Sequence, residues 1–242
     1  MSPVDIEVRF QEAVQHFWDI REQQQSKQSA SGKADAGTRG AVTGGAQMTA
    51  LERLVVDLLV QAGLNRLHIR TQTALALPGY YRPEKQWDLL VVSNGQLVTA
   101  IEFKSQVGPS FGNNFNNRVE EAIGSATDIW TAYREGRFGK SPRPFLGYFF
   151  LLEDCEQVHR PVRNDEPYFS VDPVFKQASY STRYEYLCRR LVLERIYDAA
   201  CLTLATKGAS TRLSHPAEDI SFRRFVAELQ GNAYRFVQSQ RL

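Results

Sequence analysis

The stretch Trp87-Asp88-Leu89-Leu90-Val91-Val92, with Thr99-Ala100-Ile101-Glu102-Phe103-Lys104-Ser105-Gln106 shortly after it, constrains the fold more than any other part of the chain. Both runs have the length and apolar content of β-strands, and Asn94-Gly95 lies between them, which predicts a β-hairpin. Side chains alternate across a strand, so Glu102, Lys104 and Gln106 share one face while Ile101 and Phe103 take the other. Asp88 joins that face only in one register. A two-residue loop with regular pairing would set Asp88 opposite Ile101. A three-residue loop, with Gly95 in the left-handed conformation of a bulge and Ser93 opposite Leu97, would set it opposite Glu102. A bulge or a distorted strand end is therefore expected in this hairpin.

Two carboxylates a few ångströms apart repel, and a hard divalent cation lets both stay ionised. Mg2+ prefers carboxylate oxygens, water and phosphate. A lysine one strand repeat from the second acid could orient or deprotonate an attacking water, or offset charge on a pentavalent phosphate. Asp88, Glu102 and Lys104 thus form a candidate site for phosphodiester chemistry, while an ordinary hairpin with charged ends remains the plain alternative.

The rest of the chain supplies context. Its 242 residues, 43% hydrophobic and 23% charged, suit a globular protein, and a net charge of +2 is no nucleic-acid signature in itself. Three cysteines, Cys155, Cys188 and Cys201, lack metal-type spacing and read as free thiols of a reducing cytoplasm. No apolar run reaches membrane-spanning length, and Met1 to Asp5 lacks a basic leader, so no membrane partner and a cytoplasmic location are expected.

In chain order, apolar residues at helical spacing from Pro3 to Gln25 predict a helix, and Ser26 to Gln47 is Gly-rich. That stretch reads either as a linker or as a loop that orders on DNA, with Lys33 and Arg39 as contacts. A second helix begins at Thr49 and is stopped by Gly63. Within it Glu52 is either the capping-box partner of Thr49 or a further carboxylate aimed at the metal. Leu67 to Leu77 reads as the first strand. Val107 to Arg118 is too rich in Gly, Pro and Asn to predict regular structure, and Asn113, Asn114, Asn116, Asn117 and Arg118 are candidate DNA contacts or merely turn formers. A helix from Val119 to Gly136 and a doubly covered strand from Phe145 to Leu152 follow. Arg134, Arg137, Lys140 and Arg143 read as a solvated basic turn or as a phosphate-contacting edge. Asp154 to Pro173 reads as a long loop in which His159, Arg160 and Arg163 could face DNA. A helix capped at Thr182, a strand over Ala200 to Ala205 and a helix over Glu218 to Gln230 complete the chain, with Arg212, Arg223 and Arg224 as candidate backbone contacts.

The resulting fold class is α/β. A mixed central sheet flanked by helices forms an αβββαβ core over about 48–152, with the helix and Gly-rich loop of 1–47 and the extension 153–242 added to it in one domain. That order, with an acid closing one strand and Glu102-Phe103-Lys104 on the next, resembles the PD-(D/E)xK nuclease superfamily. Within it, Ala100 to Ala122 and the loop Thr38-Arg39-Gly40-Ala41-Val42-Thr43-Gly44-Gly45 are similar to the XhoI family of type II restriction endonucleases. The resemblance implies Mg2+-dependent cleavage of duplex DNA at CTCGAG with 5′ overhangs, a homodimer matched to the palindrome, and a companion methyltransferase. It also implies that Asp88 and Glu102 are the metal carboxylates and Lys104 the catalytic lysine. Trp87 stands where the superfamily motif has proline. A structure-specific repair or junction nuclease of the same superfamily, and a DNA-binding module with structural acids, are the competing readings.

Overall fold

The computed structural model describes residues 3–30 and 46–241. Among them, six strands form one mixed sheet in the order β1 (Ile69–Arg70), β4 (Leu89–Ser93), β5 (Gln96–Gln106), β6 (Phe145–Glu153), β7 (Ala199–Ala205) and β8 (Leu213–Ser214). β4 and β5 are antiparallel, whereas β5, β6 and β7 run parallel. The remaining strands, β2 (Ala76–Pro78) and β3 (Glu84–Gln86), form a separate antiparallel ribbon.

Strand alternation divides the core into two layers. Leu89, Val91, Ile101, Phe103, Phe149 and Cys201 face α1 (Pro3–Ala30), α2 (Thr49–Gln61) and α6 (Phe222–Ser239). Leu90, Ala100, Tyr148, Phe150 and Leu202 face α3 (Phe111–Arg134) and α5 (Tyr180–Leu193). The two helices expected around the core, α2 and α3, therefore do cover opposite faces. β6 and β7 are covered on both sides, which is why they are continuously apolar. A Cβ at Gly147 would lie 3.1 Å from both Phe145 and Phe225, so glycine lets α6 sit close on the sheet.

Several expectations need correction. The strand expected over 67–77 breaks up: Arg66–His68 is a 3-10 turn, only Ile69–Arg70 pairs with β4, and Ala76–Pro78 joins the ribbon. Thr71, Gln72 and Thr73 between them give the sheet no apolar face to bury. Residues 111–118 are helical, because Phe111 and Phe115, one turn apart, both pack into the core beside Tyr180 and Tyr184. Two buried rings outweigh the few tenths of a kcal/mol that each asparagine costs a helix. α1 continues through Ala30, five residues past Gln25, on helix-forming Gln, Lys and Ala. The cap of α5 is Ser179, whose side chain accepts from the Thr182 N–H, and not Thr182 itself. The C-terminal extension brings β7 and β8 into the sheet as well as its helices, and the loop after β6 holds a short helix, α4 (Glu156–His159).

Candidate active site

The hairpin solves the register problem by a different route from the one expected. Asn94 and Gly95 both have positive φ, +51° and +73°, and form a two-residue turn with Ser93 opposite Gln96. The compensating bulge lies further in. Val92 pairs with Leu97 and Val91 with Thr99, so Val98 is the extra residue. Pairing then continues to Leu89 opposite Ile101, and the next step places Asp88 on the face of Glu102. The Asp88 N–H donates to the Ile101 carbonyl at 3.3 Å, and Asp88 Oδ2 accepts from the Phe103 N–H at 2.7 Å. Asp88 is held in place although it lies just outside β4.

Glu102 is 2% exposed and densely partnered. Its Oε1 lies 2.6 Å from Lys104 Nζ and 3.2 Å from Lys85 Nζ, and its Oε2 accepts from the Tyr197 hydroxyl at 3.4 Å. Burial alone would raise its pKa, but the two ammonium groups outweigh burial and hold it below the usual carboxylate value. Asp88 shifts the other way. Burial pushes it up and Glu102 adds to that, against the pull of Lys104, the Phe103 N–H and Lys85. Glu52 on α2 is pushed up to about 7, first by burial and then by the Asp88 charge. The N-terminus of α2 is capped at Met48 with no side-chain hydrogen bond, so the expected Thr49–Glu52 capping box is not formed. Glu52 instead lines a groove of about 380 Å³ with Arg66, Arg70 and Thr71.

Lys85 and Tyr197 were not singled out from the sequence. Lys85 reaches the site from β3, its ammonium 4.5 Å from the centre of the buried Trp87 ring and 3.1 Å from the Gln86 carbonyl. The ribbon that carries it is clamped to α3: Asp128 accepts from the N–H groups of Tyr80 and Tyr81 at 2.7 and 2.8 Å and from Arg82 Nε at 2.8 Å. The alternation of Lys85 with Trp87 and their closeness to Asp88 were the available signal. Tyr197 had none, since its hydroxyl arrives from the turn before β7, where its single proton is shared between Glu102 Oε2 and the Ala122 carbonyl at 3.2 Å.

The other candidates disperse. Lys33 and Arg39 lie outside the described residues. Asn113, Asn116 and Asn117 are exposed on the first turns of α3, whereas Asn114 donates back to the Ser110 carbonyl at 2.5 Å. Arg118 is only partly exposed and pairs with Glu121 at 2.5 Å. Several basic residues later in the chain are engaged within the protein: His159 with Asp154, Arg160 with Glu156, Arg143 with Asp198 and Trp130, Arg223 with Glu7, and Arg224 with Glu228.

Among the described residues, no three His, Cys, Asp or Glu side chains close into a preformed metal cage. A Mg2+ site does not require one, because this ion commonly takes one or two carboxylates and completes its shell with water and phosphate. Asp88 and Glu102 fit that donor set, and burial, with a smaller contribution from a neighbouring carboxylate, raises the pKa of both Asp88 and Glu52, so a cation there would favour their ionised forms.

A mixed sheet with helices on both faces and acids at the end of its hairpin is a restriction-endonuclease-like architecture. The family profile described as "Restriction endonuclease XhoI" matches residues 27–215, and the chain belongs to that family. It is 50% identical over 207 residues to the type II restriction enzyme BstVI of Geobacillus stearothermophilus, covering 83% of this chain and 92% of the relative. It is 51% identical over 166 residues to AbrI of Azospirillum brasilense, covering 68% and 74%, and 48% identical over 183 residues to XhoI of Xanthomonas vasicola, covering 75% and 73%. Both are likewise named type II restriction enzymes. No solved structure matches. The enzyme class is thereby site-specific deoxyribonuclease.

Proposed function

We propose that this protein cleaves both strands of duplex DNA at CTCGAG, leaving 5′ overhangs, and that it does so as a homodimer with Mg2+. The observation that carries the catalytic part is the convergence of Asp88, Glu102 and Lys104 on one face of a bulged hairpin, with Lys104 2.6 Å from Glu102. The family resemblance supports the target sequence. The palindrome supports a two-fold dimer, in which each strand meets one site.

Asp88 and Glu102 would hold the cation, with Glu52 at the margin. When bound, Mg2+ supplies Lewis-acid stabilisation of the phosphate and acidifies a water. The protein's own groups do the remaining work. The Phe103 N–H and the backbone pairing of Asp88 fix one carboxylate against the other. Lys104, on a strand paired to β6 as far as Gln106, holds its ammonium beside Glu102, where it orients the attacking water and offsets phosphate charge. The exposed asparagines at the start of α3 follow directly on the catalytic strand and serve as DNA contacts, while a companion methyltransferase protects the same site. The cytoplasm suits a protein whose three cysteines are all free thiols, and no helix among the described residues is long and apolar enough to cross a membrane.

The test is to incubate the purified protein and Mg2+ with two plasmids that differ only by a single CTCGAG. Linearisation of the plasmid that carries it, and of no other, is the expected result. Cleavage of both at branched or distorted sites would favour a structure-specific nuclease, and cleavage of neither would overturn the assignment of this target.

A further inference from the structure

Around Glu102 itself carboxylates and ammonium groups balance without any metal, with Glu52 outside this set at the Asp88 end. Asp88 and Glu102 contribute two carboxylates, and Lys104 and Lys85 contribute two ammonium groups. Both lysines also approach the same oxygen, Oε1, rather than sharing the two oxygens of the carboxylate. A divalent cation at Asp88 and Glu102 would add two positive charges next to both lysines. At separations of about 4 Å, like charges repel by several kcal/mol at the effective dielectric of a partly buried site. Binding the ion therefore favours withdrawal of one lysine.

The geometry distinguishes which one. Lys104 makes the shorter contact, 2.6 Å, and sits on β5, whose pairing with β6 runs from Thr99 to Gln106. Lys85 makes the longer contact, 3.2 Å, and sits on β3, which pairs only with β2. Lys85 also has somewhere to go. Its ammonium already lies against the Trp87 ring and the Gln86 carbonyl, and both contacts survive if it leaves Oε1. Lys104 is drawn to Asp88 as well as to Glu102, but it has no ring or main-chain carbonyl contact among the described residues to hold it away from them.

We infer that Lys85 is an electrostatic placeholder for the divalent cation: it neutralises Glu102 in the metal-free protein, competes with the ion for Oε1, and gives way when the ion binds. This rests on the reading of Asp88 and Glu102 as the metal carboxylates. Lys85 is a positioning residue in this scheme, since it acts through Glu102. The competition gives the enzyme a neutral resting site and lowers its affinity for free metal, so that loading is completed only when a DNA phosphate adds negative charge.

The experiment is a calorimetric titration of the full-length protein with Mn2+ in the absence of DNA, for the wild type, Lys85→Met, Lys85→Arg and Glu102→Gln. Lys85→Met should bind Mn2+ at least fivefold more tightly than the wild type, and Lys85→Arg should stay within twofold of it. Glu102→Gln should lose binding. A thermal melt of each variant without metal and with saturating Mn2+ gives a second readout, with Lys85→Met showing the larger metal-induced rise. Should Lys85→Met fold too poorly to titrate, Lys85→Gln carries the same expectation. Unchanged, weaker or undetectable Mn2+ binding in the neutral Lys85 variant overturns the placeholder role while leaving the carboxylate assignment standing, provided Glu102→Gln is impaired in Mn2+-supported cleavage. Wild-type Mn2+ binding and cleavage in Glu102→Gln would instead remove the assignment itself.

Discussion

The Phe103 N–H donates to Asp88 Oδ2 at 2.7 Å, so a main-chain group of the strand that bears Glu102 also orients the other acid. The bond accounts for how a residue outside the regular pairing of β4 can still be aimed with precision. It also separates structure from chemistry in a mutational test. Asp88→Asn retains an oxygen for the Phe103 N–H and removes a charge that burial disfavours. Its melting temperature at pH 8 should equal or exceed the wild-type value, while cleavage falls by two orders of magnitude or more, on the scale of a lost Lewis-acid contribution. An active Asp88→Asn protein, or one that melts well below the wild type, would contradict this assignment.

Lys104 acts, in this scheme, on the reaction and not on DNA recognition. Lys104→Ala should therefore abolish cleavage yet bind a CTCGAG duplex, in Ca2+, within about threefold of the wild type by gel shift. Glu102 keeps a cationic partner in that variant, Lys85 without metal and Ca2+ with it, so the site does not leave a buried carboxylate bare. Loss of specific binding on this change would assign Lys104 to recognition.

Glu52 makes a pH-dependent prediction whose sign is fixed by its raised pKa, about 7 against an ordinary 4.5. A carboxyl raised in the folded state favours folding below the unfolded pKa, and that contribution is lost as pH climbs through the folded value. Ionised Glu52 is thus a strain on the protein above pH 7 that Glu52→Gln removes. Urea denaturation should show Glu52→Gln more stable than the wild type by about 1–2 kcal/mol at pH 8, after allowance for solvent screening, and equal to it near pH 4. In Mg2+ the difference at pH 8 should shrink, because the cation relieves the same repulsion. A stability gap that does not change with pH would mean that Glu52 is not titrating in this range.

The hairpin was legible because two independent signals agreed on it, the alternation of Ile101 to Gln106 and the Asn-Gly turn. The need for a bulge was legible too, since Asp88 can share the Glu102 face only if one strand carries an extra residue. Its location was not. Asn94 and Gly95 both accept positive φ and close the two-residue turn unaided, so the extra residue falls at Val98, where nothing in local composition marks it. The start of α3 departs from the expectation because asparagine content is a weak local preference, whereas the packing of Phe111 and Phe115 against α5 is a tertiary effect. Tyr197 and Asp128 are illegible for the same reason, each meeting its partner only after distant elements dock, whereas Lys85 is marked only by its spacing from Trp87 and Asp88.

Asp128 tests the ribbon that delivers Lys85. Its carboxylate receives the Tyr80 and Tyr81 N–H groups and Arg82 Nε, and a Cβ at Gly79 would come within 2.4 Å of Asp128 Oδ2, so the turn wraps the carboxylate as closely as glycine allows. Burial would raise the pKa of Asp128, but the two N–H groups and Arg82 hold it below the ordinary value of 3.8. A depressed carboxyl stabilises the fold above its unfolded pKa and loses that contribution as pH falls through the folded value. Asp128→Ala should accordingly cost about 2–3 kcal/mol at pH 7, seen as a fall of roughly 5–10 °C in melting temperature, and the gap should narrow only in strong acid, as pH falls through a folded value that lies below 3.8. Because the freed ribbon no longer holds Lys85 at Glu102, the same variant should also bind Mn2+ more tightly once the loss of stability is taken into account. A variant that melts like the wild type at pH 7 would show that the ribbon is held by its own pairing and not by α3.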